Sequence, residues 1–244
     1  MKILKFESPN FTFSRARLRK IKFIIIHYTG MQSTIESLKR LLNKNSKVSS
    51  HYLISREGRV FQLVDDKKIA WHAGKSRWGN NNNLNRNSIG IELQNKGHKL
   101  GYQSYPKKQI NALVKLCSIL KKKYKISSKN ILGHSDVAPL RKMDPGEKFP
   151  WDKIYPKKIT NQYGKKKINN FINSKSGYTN NNINFRKIFF KNLYKIGYRY
   201  FSLLKKDAFK DRKIIIAFQS KHSQRYVTGK INKKTLIISH LLKG

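Results

Sequence analysis

Apolar residues along this chain come in two rhythms. Residues 21–30, IKFIIIHYTG, are a continuous apolar run rich in Ile and closed by His27, the pattern of a strand buried on both faces. TIESLKRLLNK follows, with Ile35, Leu38, Leu41 and Leu42 on one face of a helix. SSHYLISREGRVFQLVD reads as two alternating runs around Glu57-Gly58, a hairpin. Beyond IAWHAG and the polar loop KSRWGNNNNLNRN, SIGIELQN (88–95) is another strand, carrying Glu92. PKKQINALVKLCSILKKKY repeats Ile110, Leu113, Val114, Cys117 and Leu120 at helical spacing, and KNILGHSD is a short strand ending at His134. Alternating strands and helices predict an α/β fold, a central mixed β-sheet flanked by helices, with a site on one side of the sheet.

The rhythm breaks after FPWDKIYP (149–156). The next segment is rich in Lys, Asn, Ser and Gly and reads as a linker over 158–182, leaving a first domain over 1–157. Periodicity returns in FRKIFFKNLYKIGY, DRKIIIAFQSKHS and NKKTLIISHLLK, which predict a small C-terminal three-helix domain over 183–244.

Composition adds a question about partners. The 244 residues include 54 Lys and Arg against 12 Asp and Glu, a net charge of +42. Such a charge suits a polyanion: nucleic acid, an anionic membrane or an anionic wall polymer. The lysines are spread over nearly every segment instead of forming one stripe, and no nucleic-acid motif stands out, so no specific nucleic-acid partner is expected. No run reaches the roughly 18–20 apolar residues of a membrane span. The first twenty residues interrupt any apolar core with charges, unlike a signal peptide, so the expected compartment is the cytoplasm, with a periplasmic or wall-associated mature form as the alternative. Cys117, the only cysteine, excludes an intrachain disulfide and a cysteine-based zinc site and reads as a buried apolar residue.

With so few acids in the chain, the stretch GHSDVAPLRKMDPG (133–146) is unusual in holding His134, Asp136, Lys142 and Asp144 together. Zinc accepts imidazole nitrogen and carboxylate oxygen, and a catalytic zinc keeps three protein ligands and an open position. His27 and His134 each end a strand, and Asp144 precedes a Pro-Gly turn that would fix its approach. From spacing alone this set stands beside the plainer reading of each histidine as a core or surface residue. His98, His222 and His240 take the plainer reading, while His51 and His72 are open.

The stretches IIIHYTG, SSHYLIS, AWHAG, NSIGIEL, GHSDVAP and RKMDPGEKFPW occur in that order over about residues 20–155. Together they closely resemble the zinc-dependent N-acetylmuramoyl-L-alanine amidases of the type 2, peptidoglycan-recognition-protein-like family. The resemblance implies one Zn2+ bound by His27, His134 and Asp144, and cleavage of the amide joining N-acetylmuramic acid to L-alanine. It implies Glu92 as general base, Lys142 as oxyanion stabiliser, and Tyr52 as a hydroxyl close to the metal. His72, Asn85 and Arg141 lie in matched segments that line the substrate groove. Trp71 and Trp78 could stack on substrate or be buried, and Asp136 is expected to cap or orient the His134 loop.

NLYKIGY, IIIAFQSKH and GKINKKTLIISHL are similar to the small helical peptidoglycan-binding module often appended to such amidases, through Gly197-Tyr198, Ala217-Phe218-Gln219, Gly229, Asn232 and Thr235. Asn232 stands where Asp is more usual; either can N-cap the last helix. The plainer alternative is a helical appendage that only packs on the catalytic domain. The expected partner is peptidoglycan or its fragments, and the expected state a monomer. A recognition protein that binds wall peptides without cutting is the second reading. The presence of all three ligands with Glu92 and Lys142 argues against it.

Overall fold

The computed structural model describes residues 1–14, 19–154 and 185–243. Its main sheet uses six strands: β1 (Ile3–Lys5), β3 (Phe23–Tyr28), β4 (Tyr52–Ile54), β5 (Val60–Gln62), β9 (Ser88–Leu93) and β10 (Ile131–Gly133). Two-residue strands β2 (Phe11–Thr12) and β6 (Ile69–Ala70) pair with each other, as do β7 (Arg77–Trp78) and β8 (Asn81–Asn82). The main sheet runs β1-β5-β4-β9-β3-β10 and is mixed. β4 and β5 are the antiparallel pair, joined by the expected turn, where Gly58 has φ +85°. The other neighbours are parallel.

β3 lies between two strands, with Ile24, Ile25 and Ile26 wholly buried, which is why its sequence is apolar without alternation. One face carries Ile24, Ile26, Tyr52, Ile54, Ile89 and Ile91. It packs under α2 (Lys107–Tyr124) through Ile110, Leu113, Leu116, Cys117 and Leu120. On the other face Leu53, Phe61 and Leu63 meet Leu41 of α1 (Thr34–Leu42). α1 is capped by Ser33, whose hydroxyl accepts from the Glu36 N–H at 3.1 Å. Ile35, expected on its buried face, is 66% exposed, so the stripe is narrower than the apolar count suggested.

Among the described residues the remaining α-helices are α3 (His134–Val137), α4 (Trp151–Ile154), α5 (Phe185–Ile196), α6 (Ala208–His222) and α7 (Lys233–Leu242). The three C-terminal helices fall where periodicity placed them. They share one apolar cluster with the sheet: Phe23, Ile25, Leu132 and Val137 pack with Phe189, Leu193, Tyr198, Ile214 and Phe218. The expected linker, 158–182, lies outside the described residues. Among the described residues no helix is long and apolar enough to cross a membrane.

Candidate active site

Register builds the site. His27 on β3 pairs with Glu92 on β9, and Glu92 in turn with Leu53 on β4. Gly133 on β10 pairs with Ile26, so His134 comes next to His27. Glu92, His27 and His134 therefore form a row across three parallel strands at their C-terminal ends, where open α/β sheets commonly bind ligands. Asp144 joins them from the loop beyond α3; its carbonyl accepts from the Ser135 N–H at 2.9 Å.

His27 Nδ1 lies 2.9 Å from His134 Nδ1, and each lies 3.1 Å from Asp144 Oδ2. All three residues are buried. Their proton arrangement follows from the outer contacts. Ser88 spends its hydroxyl proton on the Leu84 carbonyl at 2.5 Å, so it accepts from His72 Nε2–H at 3.2 Å. A neutral His72 then accepts at Nδ1 from His27 Nε2–H, 3.0 Å away, leaving His27 Nδ1 as a lone pair. His134 donates Nε2–H to the Ala73 carbonyl at 3.1 Å, which leaves its Nδ1 bare as well.

Burial and the neighbouring His134 hold His27 down to about 4, against the pull of Asp144, and burial keeps His72 well below its ordinary range. Burial alone would raise the Asp144 carboxyl, but His134 and then His27 carry it well below the usual range. Two imidazole lone pairs and a carboxylate thus converge with no proton between them. A cation satisfies that donor set. A tetrahedral zinc with ligands about 2.0–2.1 Å away spaces them by about 3.3 Å, close to the triangle observed.

Glu92 stands beside this triangle. Its Oε2 is shut off from solvent and has no hydrogen-bond partner. Burial first, then the Asp144 charge, push its carboxyl up to about 8, opposed by the ammonium of Lys142. Lys142 is half-buried, and its charge bears on His27 as well as on Glu92.

Other expected residues have different work. His72 is a relay partner of His27, 9% exposed, and its ring lies on Gly90, where a Cβ would come within 2.4 Å of it. Asn85 Oδ1 accepts from the His72 and Ala73 N–H groups, at 3.1 and 2.7 Å. Arg141 donates to the Ala73 and Lys75 carbonyls. These three hold the 72–75 segment, which contacts both His27 and His134. His51 accepts the Gly90 N–H at Nδ1, 3.0 Å away, and so fixes β9. Trp78 is buried against Tyr198, with ring centroids 4.8 Å apart, so it does not present a stacking surface. Trp71 is half-buried and donates to Thr12 at 2.8 Å. Asp136 caps α3 by accepting the Gly133 N–H at 2.8 Å.

Tyr52 is the clearest correction. It pairs with Ile91, the neighbour of Glu92, and its ring belongs to the cluster under α2, on the opposite face from the triangle. Its hydroxyl donates to Asp66 at 2.7 Å, where Tyr124 and Lys123 also donate. Tyr52→Phe should leave turnover unchanged and cost about 1 kcal/mol of stability, read by urea unfolding beside an activity assay.

Three converging donor atoms that could hold a metal ion, beside a carboxylate and a lysine on the C-terminal edge of a mixed sheet, have the composition of a hydrolase site. Residues 17–147 match the family described as N-acetylmuramoyl-L-alanine amidase. The chain is 31% identical to the N-acetylmuramoyl-L-alanine amidase AmiD of Escherichia coli over 243 residues, covering 94% of this chain and 84% of that protein. It is 39% identical over 108 residues to the 1,6-anhydro-N-acetylmuramyl-L-alanine amidase AmpD of Haemophilus influenzae, 44% of this chain and 56% of the relative. The structure of E. coli AmiD with anhydro-N-acetylmuramic acid-L-Ala-D-γ-Glu-L-Lys superposes with a TM-score of 0.77 at 29% identity, covering 94% of this chain and 91% of that one. AmpDh3 from Pseudomonas aeruginosa superposes with a TM-score of 0.81 at 28% identity, covering 96% and 95%. The chain belongs to the N-acetylmuramoyl-L-alanine amidase family, and it is an enzyme of that family.

Proposed function

We propose that the chain hydrolyses the amide between the lactyl group of N-acetylmuramic acid and the L-alanine of the stem peptide, with a zinc ion held by His27, His134 and Asp144. The observation that carries this reading is the proton-free triangle of ligand atoms beside the unpartnered Glu92 carboxylate. The donor set of two imidazoles and one carboxylate suits zinc among the common divalent ions. When bound, zinc supplies Lewis-acid polarisation of the scissile carbonyl and acidifies water.

The chain's own residues do the rest. Glu92 takes a proton from the attacking water as the water oxygen joins the carbonyl carbon. Lys142 sets its ammonium against the negative oxygen of the tetrahedral intermediate. Glu92 then returns the proton to the nitrogen of L-alanine as the C–N bond breaks, leaving a muramyl carboxylate and a free peptide amine. His72 and Ser88 keep His27 in one tautomer throughout, and the Ala73 carbonyl does the same for His134.

The substrate class follows from the relatives: the AmiD structure holds an anhydromuramyl peptide, and AmpDh3 is solved with an anhydromuramic pentapeptide. Soluble muropeptide fragments are accordingly the substrate proposed. The net charge of +42 favours encounter with their carboxylates and weakens with salt. Wall binding by the C-terminal helices is no part of this proposal, because the residues behind that resemblance are spent inside the fold. Gln219 bonds the backbone at Thr228, Gly229 and Lys230, and Asn232 caps α7 through the Thr235 N–H at 2.8 Å.

The reading is tested by metal content and turnover together. Purified protein should hold zinc stoichiometrically by elemental analysis and lose activity when stripped; full activity in stripped protein would refute it. Lys142→Met should lower kcat by about 10²–10³-fold with zinc content unchanged.

A further inference from the structure

The carboxylate of Asp136 is 1% exposed and binds two elements at once. Within its own turn, Oδ2 accepts the Gly133 N–H at 2.8 Å and so fixes the start of α3, whose first residue is His134. From the C-terminal helices, Lys221 of α6 donates Nζ to Oδ2 at 2.7 Å, and Tyr198, beyond the end of α5, donates its hydroxyl to Oδ1 at 2.6 Å. Both partners are buried. Lys221 Nζ also reaches the Ile131 carbonyl on β10 at 3.3 Å and lies 4.5 Å from the Trp151 ring centroid.

A merely cohesive interface does not need this arrangement. The helices already bury Phe189, Leu193 and Phe218 against Phe23, Ile25 and Leu132. Replacing a buried ion pair by well-packed apolar side chains is often neutral or stabilising, so cohesion alone does not account for this one. The geometry concerned is that of the metal ligands. His134 sits between Gly133 and Asp136, both ends of the cap, and the next N–H, Ser135, donates to the carbonyl of Asp144 at 2.9 Å. A shift of Asp136 moves His134 directly and Asp144 through Ser135. The approach of Tyr198 is built in as well. Gly197 at φ +134° lies on Trp78, where a Cβ would come within 2.5 Å of the indole, and the Gly79 N–H donates to the Gly197 carbonyl at 2.8 Å.

We infer that the C-terminal helices are a positioning device for the catalytic metal site, with Tyr198 and Lys221 clamping Asp136 so that His134 and Asp144 keep their spacing. The inference rests on the reading of His134 and Asp144 as zinc ligands. Asp136, Tyr198 and Lys221 are positioning residues: none of them belongs to the ligand triangle.

The test uses the full chain as wild type, Tyr198→Phe and Lys221→Met. Tyr198→Phe keeps the ring against Trp78 and Phe218 and deletes one donor. Three quantities are read: zinc affinity by competition with a chromophoric chelator, kcat and KM on a muropeptide, and the melting point of the metal-free protein. Zinc affinity should weaken about tenfold in Tyr198→Phe and more in Lys221→Met, with kcat lowered and KM unchanged. If Lys221→Met fails to fold, Tyr198→Phe decides alone. Wild-type zinc affinity and kcat in the variants, with only the melting point lowered, would overturn the inference and leave the amidase reading intact. A wild-type chain that takes up no zinc would overturn both.

Discussion

Glu92→Gln should keep its zinc and lose its turnover, with kcat falling by about 10²–10⁴-fold. The substitution preserves shape and removes only the capacity to take a proton. Glu92 is not one of the three ligand residues, so metal content reports on the triangle and turnover on the carboxylate. A second readout comes from pH in metal-free protein. The Glu92 carboxyl is raised from its ordinary 4.5 to about 8 by burial and by Asp144. Between these values the folded chain holds a proton that the unfolded chain has released. Its contribution to stability is therefore full below about pH 4.5 and is lost as pH rises to about 8. His27, lowered from 6.5 to about 4, has the opposite slope across an overlapping window. Only the difference between variant and wild type isolates Glu92. That difference should move in favour of Glu92→Gln by up to about 1.4 kcal/mol per pH unit, read by urea unfolding at several pH values. Zinc retained with wild-type kcat would remove Glu92 from the reaction.

Asp144→Ala should abolish zinc binding and bring activity down by about 10³-fold or more, because Lewis-acid stabilisation worth several kcal/mol goes with the metal. Asp144 supplies the only negative charge in the triangle, and without it two imidazole lone pairs face each other 2.9 Å apart. Thermal unfolding with and without zinc separates this from a folding defect. Zinc at about 1,000 times its Kd adds about 4 kcal/mol to the wild type and nothing to a variant that cannot bind it. A variant still stabilised by zinc would place the metal elsewhere.

Much of the fold was legible because it is written in local periodicity. The apolar run over 21–30, the hairpin at Glu57-Gly58 and the spacing of Leu113, Cys117 and Leu120 each specify an element without help from distant residues. The triangle of His27, His134 and Asp144 was not legible from spacing, which left each histidine open to a plainer reading; the ordered motifs that resemble the amidase family singled it out, and the fold brings the three together. Tyr52 was misread because faces of a strand are assigned by register. A one-residue offset against β9 puts Leu53 beside Glu92 and turns Tyr52 to the far side of the sheet. Nothing in SSHYLIS alone fixes that offset. The bonds that Asn85 and Arg141 make to backbone groups at 72, 73 and 75 were not legible, since backbone partners carry no residue-type signal. The clamp on Asp136 was out of reach. Tyr198 and Lys221 come 62 and 85 residues later, and Lys221 is one of 54 basic residues. Short strands such as β1 and β2 also escaped, because two or three residues are too few to show a period.

The bond that is cut is the most direct test of the amidase chemistry. Purified wild-type protein, loaded with zinc and separately treated with a chelator, is incubated with an N-acetylmuramoyl peptide of defined sequence, and the products are weighed by mass spectrometry. The prediction is a free stem peptide beginning with L-alanine and a muramyl acid, together heavier than the substrate by one water, formed only in the presence of zinc. Intact substrate beside protein carrying its full zinc would contradict it and leave a chain that holds a metal and a muropeptide without joining them in a reaction.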